Sequence, residues 1–105
     1  MCAGRLDSGL DSLICALCRD YERRRIAIES GSVSRRTDTE FRYLNFKIYD
    51  AVCECVGEEL CEIFIKEIGD KTGYARSEIT CFSEVTYKKY KSRGKEAIAE
   101  ALHLV

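Results

Sequence analysis

Cys15 and Cys18 form a Cys-x-x-Cys pair, the spacing that lets two sulfurs converge on zinc or exchange a disulfide. They sit among Leu13, Ile14 and Leu17 rather than in a glycine-rich knuckle, so they are expected to pack as small apolar thiols. Cys53 and Cys55 do not complete a tetrahedral set, because residues two apart on a helix point about 200° apart. No metal and no cofactor are expected. His103 is the sole histidine and stands near the chain end, where a Cys–His or Ser–His–Asp arrangement would fray. The chain therefore reads as a binding protein, not an enzyme.

Two charged stretches carry the remaining chemistry. From Asp50 to Asp70 one cation, Lys66, stands against seven anions, a local balance of −6. Glu54, Glu58, Glu59 and Glu62 lie here, with carboxylates at i and i+4 that bind a cation or, as expected, repel one another on a wet surface. From Lys71 onward seven cations face four anions, a balance of +3. Within that stretch Thr86, Tyr87, Lys88, Lys89, Tyr90, Lys91, Ser92, Arg93 and Lys95 interleave cations, hydroxyls and rings, the mixture that contacts phosphates and base edges. On a helix Lys88, Lys91 and Lys95 share one face. Arg35 and Arg36, beside Ser34, read as solvated loop arginines, and Arg23 to Arg25 as a solvated helix face.

Helices must position these groups. Leu10, Leu13, Ile14, Leu17 and Tyr21 recur at helical offsets, predicting one helix from about Ser8 to Ser30, closed by a left-handed Gly31. Thr37-x-x-Glu40 reads as a capping box that starts a second helix, with Phe41, Leu44, Ile48, Val52 and Val56 on its apolar side. Gly57 separates it from a third helix carrying Leu60, Phe64 and Ile68 and closed by Gly69. Between Asp70 and Phe82 the pattern weakens. Tyr74 to Cys81 is compatible with a short helix, and Ile79 to Phe82 also with a strand. Ser83 then caps a helix from Glu84 to Leu102 that buries Tyr87, Ile98, Ala101 and Leu102, with Gly94 interrupting it at about 1 kcal/mol relative to Ala.

Composition agrees with an all-α domain. The 105 residues suit a single unit, 46% are hydrophobic and 33% charged, and proline is absent, so helical ladders run unbroken. No stretch reaches the roughly 18–20 apolar residues of a membrane span, and Met1 to Asp7 lacks the apolar core of a signal peptide. A cytoplasmic protein with its seven cysteines reduced is the expectation.

The last part of the chain, Ser83-Glu84-Val85-Thr86-Tyr87-Lys88-Lys89-Tyr90-Lys91 through Ala97-Ile98-Ala99-Glu100-Ala101-Leu102, resembles the C-terminal helix of ArpU/RinA-type phage transcriptional regulators, which are similar to region 4 of sigma factors. Cys81 stands near the place where that family carries a turn glycine. The resemblance implies a helix-turn-helix over residues 71–102 with Gly73 to Phe82 supplying its first helix. It implies that Ser83, Thr86, Tyr87, Lys88, Lys89 and Lys91 approach double-stranded DNA, and Arg93 and Lys95 extend the basic set. A homodimer fits this reading, since one short recognition helix makes few contacts and two half-sites multiply affinity. The alternative is a small mobile-element protein that inhibits a host defence protein in the manner of an anti-CRISPR, presenting Glu54, Glu58, Glu59 and Glu62 as a mimic of nucleic-acid charge.

Overall fold

The computed structural model describes residues 6–105. Cys2 and the Met1–Arg5 part of the leader reading lie outside the described residues. The described chain is all-α: α1 (Ser8–Arg19), α2 (Tyr21–Ser30), α3 (Arg35–Val56), α4 (Glu58–Asp70) and α5 (Glu84–Ala101), with one 3₁₀ turn at Tyr74–Arg76. No described helix is long and apolar enough to cross a membrane.

Asp7 starts α1 by accepting the Leu10 N–H at 2.7 Å. The single helix expected to reach Ser30 instead breaks at Asp20, whose backbone lies at φ −87°, ψ 0°. The break has a packing cause. Gly69 of α4 presses against the backbone at Cys18 and Arg19, so closely that an added Cβ would lie 2.6 Å from the Arg19 nitrogen. At the same junction the Leu17 carbonyl accepts from the Arg24 guanidinium, which also donates to Asn45 Oδ1 of α3, both at 2.6 Å. Arg24 is therefore buried, in contrast to the solvated face expected for Arg23 to Arg25. A charge taken out of water this way is tolerable because its donors are satisfied.

Gly31 does take the left-handed conformation at the end of α2, with φ 66°. The next helix starts two residues before the expected capping box. Ser34, not Thr37, is the N-cap, accepting the Thr37 N–H at 3.3 Å, so Arg35 and Arg36 belong to the first turn of α3 and not to a loop. Gly57, at φ 86°, turns the chain from α3 into α4. That helix runs past Gly69 to Asp70 and is closed by Lys71 in the left-handed region at φ 56°.

One core unites the helices: Ile14, Ile48, Val52, Phe64, Ile65, Ile68, Tyr87 and Ile98 are fully enclosed. Each such side chain contributes about 1.5–3 kcal/mol of transfer free energy. Cys15, Cys18 and Cys61 are buried with them. Burial, and then the neighbouring Cys15, pushes the Cys18 thiol up to about 12, which keeps it protonated. The Cys55 thiol lies 3.8 Å from the Arg93 carbonyl of α5. Among the described residues no group of three or more His, Cys, Asp or Glu could hold a metal ion.

Candidate nucleic-acid interface

α5 begins where Ser83 accepts the Thr86 N–H at 3.3 Å, the expected cap, and the Thr86 hydroxyl is 3.0 Å from the Ser83 oxygen. Both hydroxyls are thus occupied by the cap. Inward, Tyr87, Lys91, Gly94 and Ile98 repeat at offsets of four, seven and eleven, the stripe that meets α3 and α4. Outward, Val85, Lys88, Lys89, Ser92 and Arg93 repeat at three, four, seven and eight, and all five are exposed.

This division corrects the basic set. Tyr87 is only 1% exposed; its ring stacks on Phe64 at 5.7 Å and its hydroxyl donates to Glu67 at 2.6 Å, so it cannot reach a groove. The Lys91 ammonium donates to the Thr72 carbonyl and lies 5.7 Å from the Tyr87 ring centroid. Burial, followed by the nearby Lys95 charge, pushes its pKa below the ordinary lysine value. Lys95 pairs with Asp11 of α1 at 3.0 Å. Lys91 and Lys95 therefore fasten α5 to the body, while Lys88, on the same side as Lys95 but nearer the start of the helix, is exposed and pairs with Glu84 at 2.8 Å. Lys89 and Arg93 are exposed with no ion-pair partner among the described residues.

The expected first helix of a helix-turn-helix is not formed. Gly73 to Phe82 contains only the 3₁₀ turn, followed by non-helical backbone and no strand. A buried carboxylate explains why. Glu67 of α4, 3% exposed, accepts from the Ser77 hydroxyl at 2.7 Å, the Glu78 N–H at 2.8 Å and the Tyr87 hydroxyl. The Glu78 amide is thereby held by a side chain instead of a helical carbonyl. Tyr74 adds a hydroxyl donated to the Phe82 carbonyl at 3.0 Å, and Phe82 stacks on Tyr90 at 5.1 Å. The connection is a clamped strap between α4 and α5, much longer than the three or four residues of a helix-turn-helix turn.

Sequence reasoning placed Glu67 in a wet acidic stretch and gave no role to Val85. A signal for the latter was present: once Tyr87 is taken as core, positions 85, 89 and 92 fall on the opposite face. The acidic residues Glu54, Glu58, Glu59 and Glu62 are all exposed, and none has an ion-pair partner among the described residues. A groove of about 520 Å³ runs beside Glu62, lined also by Tyr21, Ile63 and Lys66.

No family model, curated protein or solved structure matches this chain.

Proposed function

We propose that the chain binds double-stranded DNA through the outer face of α5, as a regulator of the phage or prophage type. The observation that carries the reading is the exposed stripe Val85, Lys88, Lys89, Ser92 and Arg93 on a helix whose opposite face is locked into the core. Its residues divide the work. Lys89 and Arg93 supply phosphate contacts, Ser92 a hydrogen bond, and Val85, 78% exposed in the first turn, an apolar contact of the kind that thymine methyl groups accept. The likeness of Ser83 to Leu102 to ArpU/RinA-type regulators supports α5 as the element that meets DNA. Tyr87, Lys91 and Lys95 act here by positioning α5.

The test is fluorescence anisotropy on a random-sequence duplex over a salt series. Each phosphate contact contributes a slope of about −0.9 in log K against log salt, so Lys89→Ala with Arg93→Ala flattens the slope by about 1.8. No salt-dependent binding by the natural chain, or an unchanged slope in the variant, refutes the reading. A second reading rests on the unpaired carboxylates of Glu54, Glu58, Glu59 and Glu62: an anti-CRISPR-like protein that docks a basic surface of a host defence protein. It predicts a partner lost on Glu58→Gln with Glu62→Gln and indifferent to Lys89→Ala.

A further inference from the structure

The outward face of α3 is patterned along its whole length. Arg35, Thr39, Arg42, Tyr43, Phe46, Asp50 and Glu54 are exposed and repeat at helical offsets, so they form one stripe on a 22-residue helix. Phe46 is 62% and Tyr43 51% exposed, an unusual pairing of large rings in open solvent at the middle of a helix. Cations occupy the N-terminal half of the stripe and anions the C-terminal half. Asp50 and Glu54 have no ion-pair partner among the described residues, whereas Arg42 pairs with Asp38 at 2.7 Å and Arg36 with Glu40 at 3.5 Å along α3, exposed i, i+4 pairs of little worth that a partner carboxylate can replace.

We infer that this face binds a second copy of the same chain, α3 against α3 antiparallel, about a two-fold axis near Phe46. The charge order is what selects the occupant. Arg42 and Asp50 are each four residues from Phe46, so a two-fold axis there sets Arg42 of one chain opposite Asp50 of the other. The rings of Phe46 and Tyr43 meet at the centre. An isologous contact requires such self-complementarity, and a face with one sign of charge would lack it. Parallel packing would instead oppose Arg42 to Arg42 and Asp50 to Asp50.

The stripe is about 33 Å long and about 10 Å wide, roughly 330 Å² a side, from the helical rise and diameter. That is below the roughly 800 Å² per partner of a standard stable interface, so the dimer is weak and transient, with association sought from about 10 μM to about 1 mM. The inference needs no DNA and stands apart from the reading of α5.

Sedimentation equilibrium of the full chain from about 10 μM to about 1 mM, without nucleic acid, tests it across that affinity range. The expected mass rises from 12.0 kDa toward twice that value. Phe46→Glu weakens association by at least about 30-fold, the loss typical of a central aromatic anchor. Because Phe46 is exposed, that variant keeps its fold, which far-UV circular dichroism checks. Asp50→Arg also weakens the dimer, and adding Arg42→Asp in the same chain restores it. A chain that stays at 12.0 kDa throughout overturns the proposal, as does a dimer indifferent to Phe46→Glu. A charge exchange that restores nothing overturns the antiparallel register.

Discussion

Replacing Glu67 by Gln keeps the shape of the buried side chain and changes only its charge and one acceptor. Three donors converge on the carboxylate: the hydroxyls of Tyr87 and Ser77 on Oε1 and the N–H of Glu78 on Oε2. An amide oxygen at the Oε1 position keeps the first two bonds, now neutral, while its NH₂ confronts the Glu78 N–H. Leaving that donor unsatisfied costs about 1–3 kcal/mol, and converting two charge-assisted bonds to neutral ones costs about 0.5–1 kcal/mol each. Relief of the desolvation of a buried charge offsets part of this, so the net loss is about 2 kcal/mol. With a urea slope of about 1–3 kcal/mol per molar, the unfolding midpoint drops by about 1 M. The assay is urea unfolding followed by circular dichroism on the natural chain, Glu67→Gln, Tyr87→Phe and the double variant. The two changes are coupled by about 0.5–1 kcal/mol, the charge-assisted part of the Tyr87 bond that each removes. A midpoint shift under about 0.3 M, or a cycle that is simply additive, refutes the idea that Glu67 clamps the strap onto α5.

Two glycines in helices behave oppositely. Gly69→Ala gains about 1 kcal/mol of helix propensity but drives a Cβ into the Arg19 backbone, and overpacking of about 1–3 kcal/mol or more gives a net destabilisation. Gly94→Ala meets only Ile68 Cδ1 at 3.4 Å and Val52 Cγ2 at 4.0 Å, and is neutral or stabilising by up to about 1 kcal/mol; thermal unfolding of both variants checks the contrast. Lys71→Gly removes a side chain from a left-handed helix end and raises stability by about 1 kcal/mol in the same assay. High pH unfolds the protein through its buried acids. Burial pushes the Cys18 and Cys61 thiols from 9.0 up to about 12, and the Tyr87 phenol from 10.0 up to about 12. The unfolded chain loses these protons first, so their stabilisation is complete below the lower values and is lost as pH rises toward the higher ones. A urea midpoint, measured under reducing conditions, that holds steady from about pH 8 to about pH 11 contradicts this.

Much of the scaffold is a local property and was legible without coordinates. Ser83 caps α5, Gly31 closes α2, Gly57 divides α3 from α4, and Ile48, Val52, Phe64, Ile68 and Ile98 face inward, because caps and helical periodicity depend on neighbours a few residues away. The places that escaped reading involve partners distant in the chain. The break at Asp20 is linked to Gly69 and Asn45, and the loss of a helix between Gly73 and Phe82 to the Glu67 carboxylate. The site divided along the same line. Composition located a basic helix at the C-terminal end, but which cations are free was decided by tertiary contacts: Asp11 takes Lys95, the Thr72 carbonyl takes Lys91, and the core takes Tyr87, leaving Lys89 and Arg93 outside. Residue type sets what a side chain can do; the packing of α5 on its neighbours decides which side chains remain available to do it.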